Sequence, residues 1–186
     1  MSQQHQKNKN GVGQKWLWFA ALPDVVWAPL TAGGLMLMVG IIGLLAHQPW
    51  LFPSLGPTAF LQVETPGQPT ARFYNTVIGH CLGLGAGFLS VALVGAQAAP
   101  AVLSTHHLTP IRVWAAVLAV GLNMLFGLLL KASHPPAAAT TLLVALGGFE
   151  MTVHGALTVV AGVMIVATVG EVLRRIRLQA NPVHFS

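Results

Sequence analysis

Long charge-free runs alternate with short polar joints along this chain. No formal charge falls between Asp24 and Glu64 or between Arg72 and Arg112, and shorter charge-free runs cover 113–130, 132–149 and 151–170. A helix that crosses a bilayer needs about 20 apolar residues at a rise of about 1.5 Å each. Four segments meet that length: 28–46, 75–97, 113–130 and 153–173. Two shorter apolar pieces, 53–63 and 134–149, would reach only roughly 17 and 24 Å as helices. Each opens with prolines and directly follows a full span.

Composition confirms the membrane reading. Of 186 residues only 7% are charged, nine Lys or Arg and four Asp or Glu, against about 25% in a soluble domain. Apolar residues make up 54% and Gly adds 20 more, so a water-soluble globule could not cover its surface. A single Cys81 excludes a disulfide framework and a Cys-held metal. The net charge of +5 sits at the ends and joints of apolar runs, which fits membrane orientation and not nucleic-acid binding.

The polar start, residues 1–15, reads as a disordered tail, and 16–22 as a short Trp-rich interfacial segment. Basic residues near both ends (Lys7, Lys9, Lys15; Arg174, Arg175, Arg177) place both termini in the cytoplasm and require an even number of crossings. The expected organisation is a cytoplasmic tail and interfacial segment 1–24, a membrane repeat 25–97, and a connecting loop 98–112. A second membrane repeat, 113–173, and a basic cytoplasmic tail, 174–186, follow.

The two membrane repeats share one order: long span, Pro-led short segment, long span. Pairing Pro57 with Pro136 sets Gly56-Pro57-Thr58-Ala59 beside Pro135-Pro136-Ala137-Ala138. Repeats with short or interrupted apolar segments at matching places point to a transport site. Two topologies fit. Re-entrant short segments give four crossings and parallel repeats; crossing segments give six and inverted repeats. Charge placement favours six, because only Arg112 would lie outside. Segment length favours four.

The proline motifs have a physical consequence. His134 precedes a proline and is pushed into an extended conformation, while Pro135 and Pro136 suit a first helical turn. The first free donors would be the N–H groups of Ala137, Ala138 and Ala139, uncovered because the side chains are small. A buried helix start of that kind is an anion site. Gly56-Pro57-Thr58-Ala59 repeats it, with Gly56 at the cap and Thr58 adding a hydroxyl. Two such starts facing each other would bracket a small anion. The plain alternative is that the prolines only separate helices.

Intramembrane polar groups are costly and often functional. His80 and His154 hold matching places in the two repeats, with a site role or a backbone hydrogen bond both open. Asn123 sits mid-span and could simply join helices. Arg72 and Lys131 border the short segments, either attracting an anion or snorkelling. Thr140 and Thr141 could line a path or bond back to their own helix. The string Gly79, Gly83, Gly85, Gly87 suits close helix packing. His106 and His107 fall in a solvated loop. Asp24, Glu64, Glu150 and Glu171 all sit at span edges, which argues against a carboxylate sodium site or proton relay. Proton coupling would then need His134 or His80 to titrate.

Three stretches together resemble the HPP family of integral membrane proteins: residues 133–140 (Ser-His-Pro-Pro-Ala-Ala-Ala-Thr), residues 53–59 (Pro-Ser-Leu-Gly-Pro-Thr-Ala), and Arg72 through Asn75 to Gly79-His80. The resemblance covers roughly 25–172. It implies four spanning helices and a transporter, with nitrite as the substrate of the chloroplast and cyanobacterial members.

The expected protein is therefore all-α, a polytopic bundle of four full spans and two short re-entrant or crossing helices, in a bacterial-type inner membrane. It would carry a small monovalent anion, nitrite foremost, without a cofactor, a metal or nucleic acid, in contact with membrane lipid and in a homo-oligomer. The site residues would be His134, Pro135, Pro136, Ala137, Ala138, Ala139 and Thr140 in one repeat. Gly56, Pro57, Thr58 and Ala59 would face them, flanked by Arg72, Asn75, His80 and Lys131. Two rivals are a non-transporting partner subunit and a metal enzyme built on His80, His134 and His154; the latter lacks a His-x-x-x-His pair or an acidic partner.

Overall fold

The computed structural model describes residues 19–180. The expected tail 1–15, residues 16–18 of the interfacial segment, and residues 181–186 lie outside the described residues. Four helices are long and apolar enough to cross a bilayer: α1 (Asp24–Leu45), α3 (Phe73–Val94), α5 (Pro110–Leu129) and α7 (Val153–Ala180). Between them stand α2 (Leu55–Glu64) and α6 (Ala137–Ala145), and a single-turn helix α4 (Val102–Thr105) interrupts the connection from α3 to α5. No strand occurs among the described residues. Outward-facing Leu37, Leu93, Trp114, Leu128 and Leu157 are exposed and suit a lipid surround.

Helix α7 outruns its expected end. Glu171 pairs with Arg174 at 2.8 Å and Arg175 at 2.6 Å, one turn ahead, so residues 174–180 continue the helix. The same carboxylate accepts the Phe73 N–H at 3.2 Å, and Arg174 donates to the Pro66 carbonyl at 2.8 Å. These bonds pin the start of α3 to the lower part of α7. The start of α1 is held at that same end, where Arg177 donates to the carbonyls of Ala20 and Leu22, pairs with Asp24, and lies 5.2 Å over the Trp27 ring.

Helix directions follow from these contacts. The far end of α1 is marked by Gly43, which packs against Gln48 and Trp50, and Trp50 in turn lies against Gly162, well up α7. Helix α3 rises from Glu171 to Leu84, which shares a core cluster with Val159 and Val163. Both α1 and α3 thus run antiparallel to α7 and parallel to each other. The segment between them must return. Phe52 packs on Gly162 and Gln62 on Gly170, so α2 descends alongside α7.

The second repeat inverts the pattern. Gly79, Gly83 and Gly87 of α3 face His134, Ala137 and Val144 in turn, so α6 rises beside α3. Helix α5 begins where Arg112 reaches the Ala145 carbonyl and ends where Gly127 nears Ser133, opposite in direction to α6. The chain therefore goes up, down, up and then down, up, down. Each short helix packs on the last helix of the other repeat, α2 on α7 and α6 on α3.

Beside the four helices long enough to span alone, these directions favour two further passes through the short helices over re-entrant segments. The short helices reach only about 15 and 14 Å, and each is preceded by a lead of turns and irregular backbone, with 48–52 and 132–134 outside any turn or helix. Lead and helix together carry the chain from one end of the long helices back toward the other, as the contacts of Asn75 with the lead of α6 and of Arg112 with its last residue show. Counting helix length alone undervalues a composite pass. The cations follow the same axis: Arg72, Lys131, Arg174, Arg175 and Arg177 gather at the end that holds Asp24, and Arg112 stands alone at the other among the described residues.

Cysteine labelling checks the topology. In a Cys81→Ser background, Gln68→Cys and His106→Cys should react with an impermeant maleimide from opposite sides, Gln68 on the side of Asp24. A re-entrant, four-crossing chain would put Gln68 on the side away from Asp24 and His106 on the side of Asp24.

Candidate functional site

The first turns of α2 and α6 meet through side chains, Thr140 with Ser54 and Thr58 with His134. Ser54 occupies the N-cap position of α2, where Leu55 N–H donates to the Phe52 carbonyl at 3.0 Å. Gly56 is therefore the second residue of the helix and not its cap. At the start of α6 Pro136 holds the corresponding position. Counted from these caps, Thr58 matches Thr140, and the pairing of Pro57 with Pro136 is shifted. Helix starts are set by where the backbone turns, and prolines can occupy several places in a first turn.

The three N–H groups expected to be free are not. Ala137 donates to the His134 carbonyl at 2.9 Å, Ala138 to Pro135 at 3.1 Å and Ala139 to Pro136 at 3.1 Å. The lead into α6 closes tight three-residue turns, which satisfy donors that an abrupt helix start would leave open. What persists there is the positive end of the helix dipole.

The converging groups are side chains. Thr58, His80, His134, Thr140 and Ser54 are buried, with exposures of 0, 1, 5, 0 and 0%. Thr58 Oγ1 lies 2.8 Å from His80 Nε2 and 3.3 Å from His134 Nε2, and its hydroxyl donates to the Ser54 carbonyl at 3.0 Å. His80 Nδ1 lies 2.7 Å from Thr140 Oγ1, which is 2.7 Å from Ser54 Oγ. His134 Nδ1 donates to the Thr70 carbonyl at 2.8 Å. The two imidazoles meet edge to face, with centroids 5.0 Å apart.

Each position comes from a different element. His80 reaches the centre because Gly79 and Gly83 let α6 approach α3 closely. His134 is held extended by Pro135. Asn75 is buried but committed to scaffolding: its amide donates to the Ser133 carbonyl at 3.0 Å and toward that of Lys131 at 3.5 Å, tying the lead of α6 to α3.

Two cavities flank this network. One of about 690 Å³ is lined by Gly56, Pro57, Pro135, Pro136 and Ala139, with Phe60, Leu61 and Glu64 at its margin. The other, about 250 Å³, is lined by Gly79, Asn123, Gly127, Ser133, His134 and Ala138 among others. His134-Pro135 is the partition between them, since Pro135 lines both.

Of the remaining expected residues, Arg72 and Lys131 are exposed, Lys131 with a left-handed φ of 51°. Ala59 packs in the core against α1 and α7. Thr141 bonds back to the Ala137 carbonyl at 3.0 Å, the structural alternative weighed for it. His154 is exposed at the start of α7, while His80 and His134 are buried. No three His, Cys, Asp or Glu side chains converge among the described residues.

Sequence reading passed over Ser54, Gln62 and Thr76. Gln62 donates to Thr76 Oγ1 at 3.4 Å, and both are fully buried between α2 and α3. Gln62, the one amide within a short apolar segment, was the signal available.

A family model described as HPP, transmembrane region, matches residues 19–182. No curated protein and no solved structure matches the chain.

Proposed function

This chain belongs to the HPP transmembrane family, and on that premise we propose that it is a transporter or channel for a small monovalent anion, nitrite foremost. The observation that carries the reading is the side-chain meeting of the starts of two Pro-led half-length helices, one from each inverted repeat, with cavities on both sides of Pro135. Inverted repeats with broken elements at their interface are how many transporters build a midplane site. The anion would sit in the smaller cavity, drawn by the positive end of α6 and by the polar groups of Asn123, Ser133 and His134. Glu64 at the rim of the larger cavity disfavours an anion there. We take the cation-rich end to face the cytoplasm, in a bacterial-type inner membrane. No bond is made or broken in this reading, so the protein is not an enzyme.

Nitrite entry into proteoliposomes tests it. The intact protein should carry nitrite well above protein-free vesicles, and His134→Ala and Pro136→Ala should each lower the flux at least tenfold while the protein keeps its helical content. Folded protein with no flux of nitrite or nitrate sinks the substrate class and leaves a partner subunit as the reading.

A further inference from the structure

The network around Thr58 does not have enough hydrogens. It contains six contacts: Thr58 with the Ser54 carbonyl, with His80 and with His134; His80 with Thr140; Thr140 with Ser54 Oγ; and His134 with the Thr70 carbonyl. Each needs one hydrogen. With both imidazoles neutral, the three hydroxyls and two rings supply at most five, one apiece. The shortfall is one hydrogen when Ser54 donates to Thr140; when Thr140 donates to Ser54, a second is missing at His80 Nε2, and in both cases His134 Nε2 lacks one.

Its location is fixed by the carbonyls, which only accept. His134 must place a hydrogen on Nδ1 for Thr70, and Thr58 must give its own to Ser54. A neutral His134 then turns a bare Nε2 toward the Thr58 oxygen. That contact is the longest of the six, 3.3 Å against 2.7 to 3.0 Å for the others. With the Ser54 hydroxyl turned to donate to Thr140, one hydrogen added there fills the whole network: His134 Nε2–H and His80 Nε2–H both donate to Thr58, and Thr140 donates to His80 Nδ1.

We propose that this network is a binding site for one proton, taken up at His134 Nε2. His134 also has the access, because it lines the 250 Å³ cavity and His80 lines neither cavity beside the network. The titratable or charged groups near His134 are few. His80 faces it from α3, and Glu64 of α2 stands at the rim of the cavity beyond Pro135. From α5 and its exit the cavity wall brings Asn123, Met124 and Leu128, with Lys131 exposed; Arg72, before α3, is exposed as well. On α7, Glu171 is engaged with Arg174 and Arg175.

An imidazolium at this depth is costly unless a counter-charge lies beside it. A monovalent anion in the adjoining cavity supplies that charge, so proton and anion stabilise each other and pass as a neutral pair. This second step rests on the proposed function; the proton site does not.

Nitrogen NMR of histidine-labelled full chain in lipid nanodiscs separates the two. From about pH 8 down to about pH 4, spanning the ordinary imidazole value of about 6.5, His134 should start as the Nδ1–H tautomer and gain a hydrogen on Nε2, while His80 stays neutral. In Thr58→Val that gain should be lost at the pH where the intact protein shows it; Thr58→Ser, which keeps the hydroxyl, should retain it. A proton appearing first on His80, on both rings together, or on neither overturns the proposal. If His134 gains its proton but nitrite does not cross, the proposed function falls and the proton site stands. If nitrite crosses with no proton on His134, the proton site falls alone.

Discussion

Gly83→Ala should lower stability by about 1–3 kcal/mol, the usual cost of forcing a methyl into a packed interior, and should lower anion flux with it. A Cβ at Gly83 would stand 2.7 Å from both the Ala137 carbonyl oxygen and Thr141 Oγ1. The carbonyl belongs to the first residue of α6 and cannot swing away as a side-chain tip would. To admit the methyl, α6 must shift from α3, carrying His134 and Thr140 away from His80. Gly79 and Gly87 lie on the same face, where a Cβ would come 2.5 Å from His134 Cβ and 2.7 Å from Val144 Cβ. Gly85 is the internal control. It belongs to the same string, but nothing lies within 4 Å of its Cβ position. Gly85→Ala should therefore be neutral, or stabilising by up to about 1 kcal/mol through helix propensity. Thermal unfolding in detergent, with nitrite flux alongside, reads both variants. Equal behaviour of the two would mean that the close approach of α3 and α6 does not govern the site.

That contrast also marks how far the sequence could be read. The glycine string announced close packing, yet only a three-dimensional partner tells Gly83 from Gly85. The four long helices were legible because charge-free runs of sufficient length have few other uses, and the order of parts exposed the repeat. The number of passes was not legible. A composite pass spends part of its length on turns and irregular backbone such as 46–54, which carry no periodic signal. Among site residues, His134 and His80 stood out because histidine in an apolar run is conspicuous, and the structure places them together. Ser54 did not, because a lone serine before a proline-rich turn has many ordinary roles. The expected anion donors of Ala137–Ala139 failed for a local reason: the proline lead folds back on itself and takes up those N–H groups. Their place at the centre is held by hydroxyls and imidazoles drawn from both repeats.

Arg112→Leu should be among the most damaging single changes in the chain, although Arg112 is far from the histidines. The sequence presents it as an orientation charge at a span end. The structure buries it to 4% exposure and aims its guanidinium at three carbonyls. It donates to Ala99 at 2.5 Å, to Pro100 at 3.2 Å and to Ala145 at 3.0 Å. Ala145 ends α6, so the cation both closes a last-turn carbonyl and meets the negative end of that helix. The loop residues Ala99 and Pro100 are tied to the same point. Leucine would leave three acceptors unpaired, at about 1–3 kcal/mol for each one that water cannot reach, so a loss of about 3 kcal/mol or more is expected. Arg112→Lys keeps the charge and should lose less, about 1–2 kcal/mol, because a point ammonium cannot span three carbonyls as a planar fork does. Thermal unfolding ranks the two variants. Flux should fall in the same order, because α6 is fixed by Arg112 at one end and presents His134 and Thr140 at the other. If Arg112→Leu matched the intact protein in both, the short helix would have to be held by its packing on α3 alone, and the guanidinium would serve orientation only.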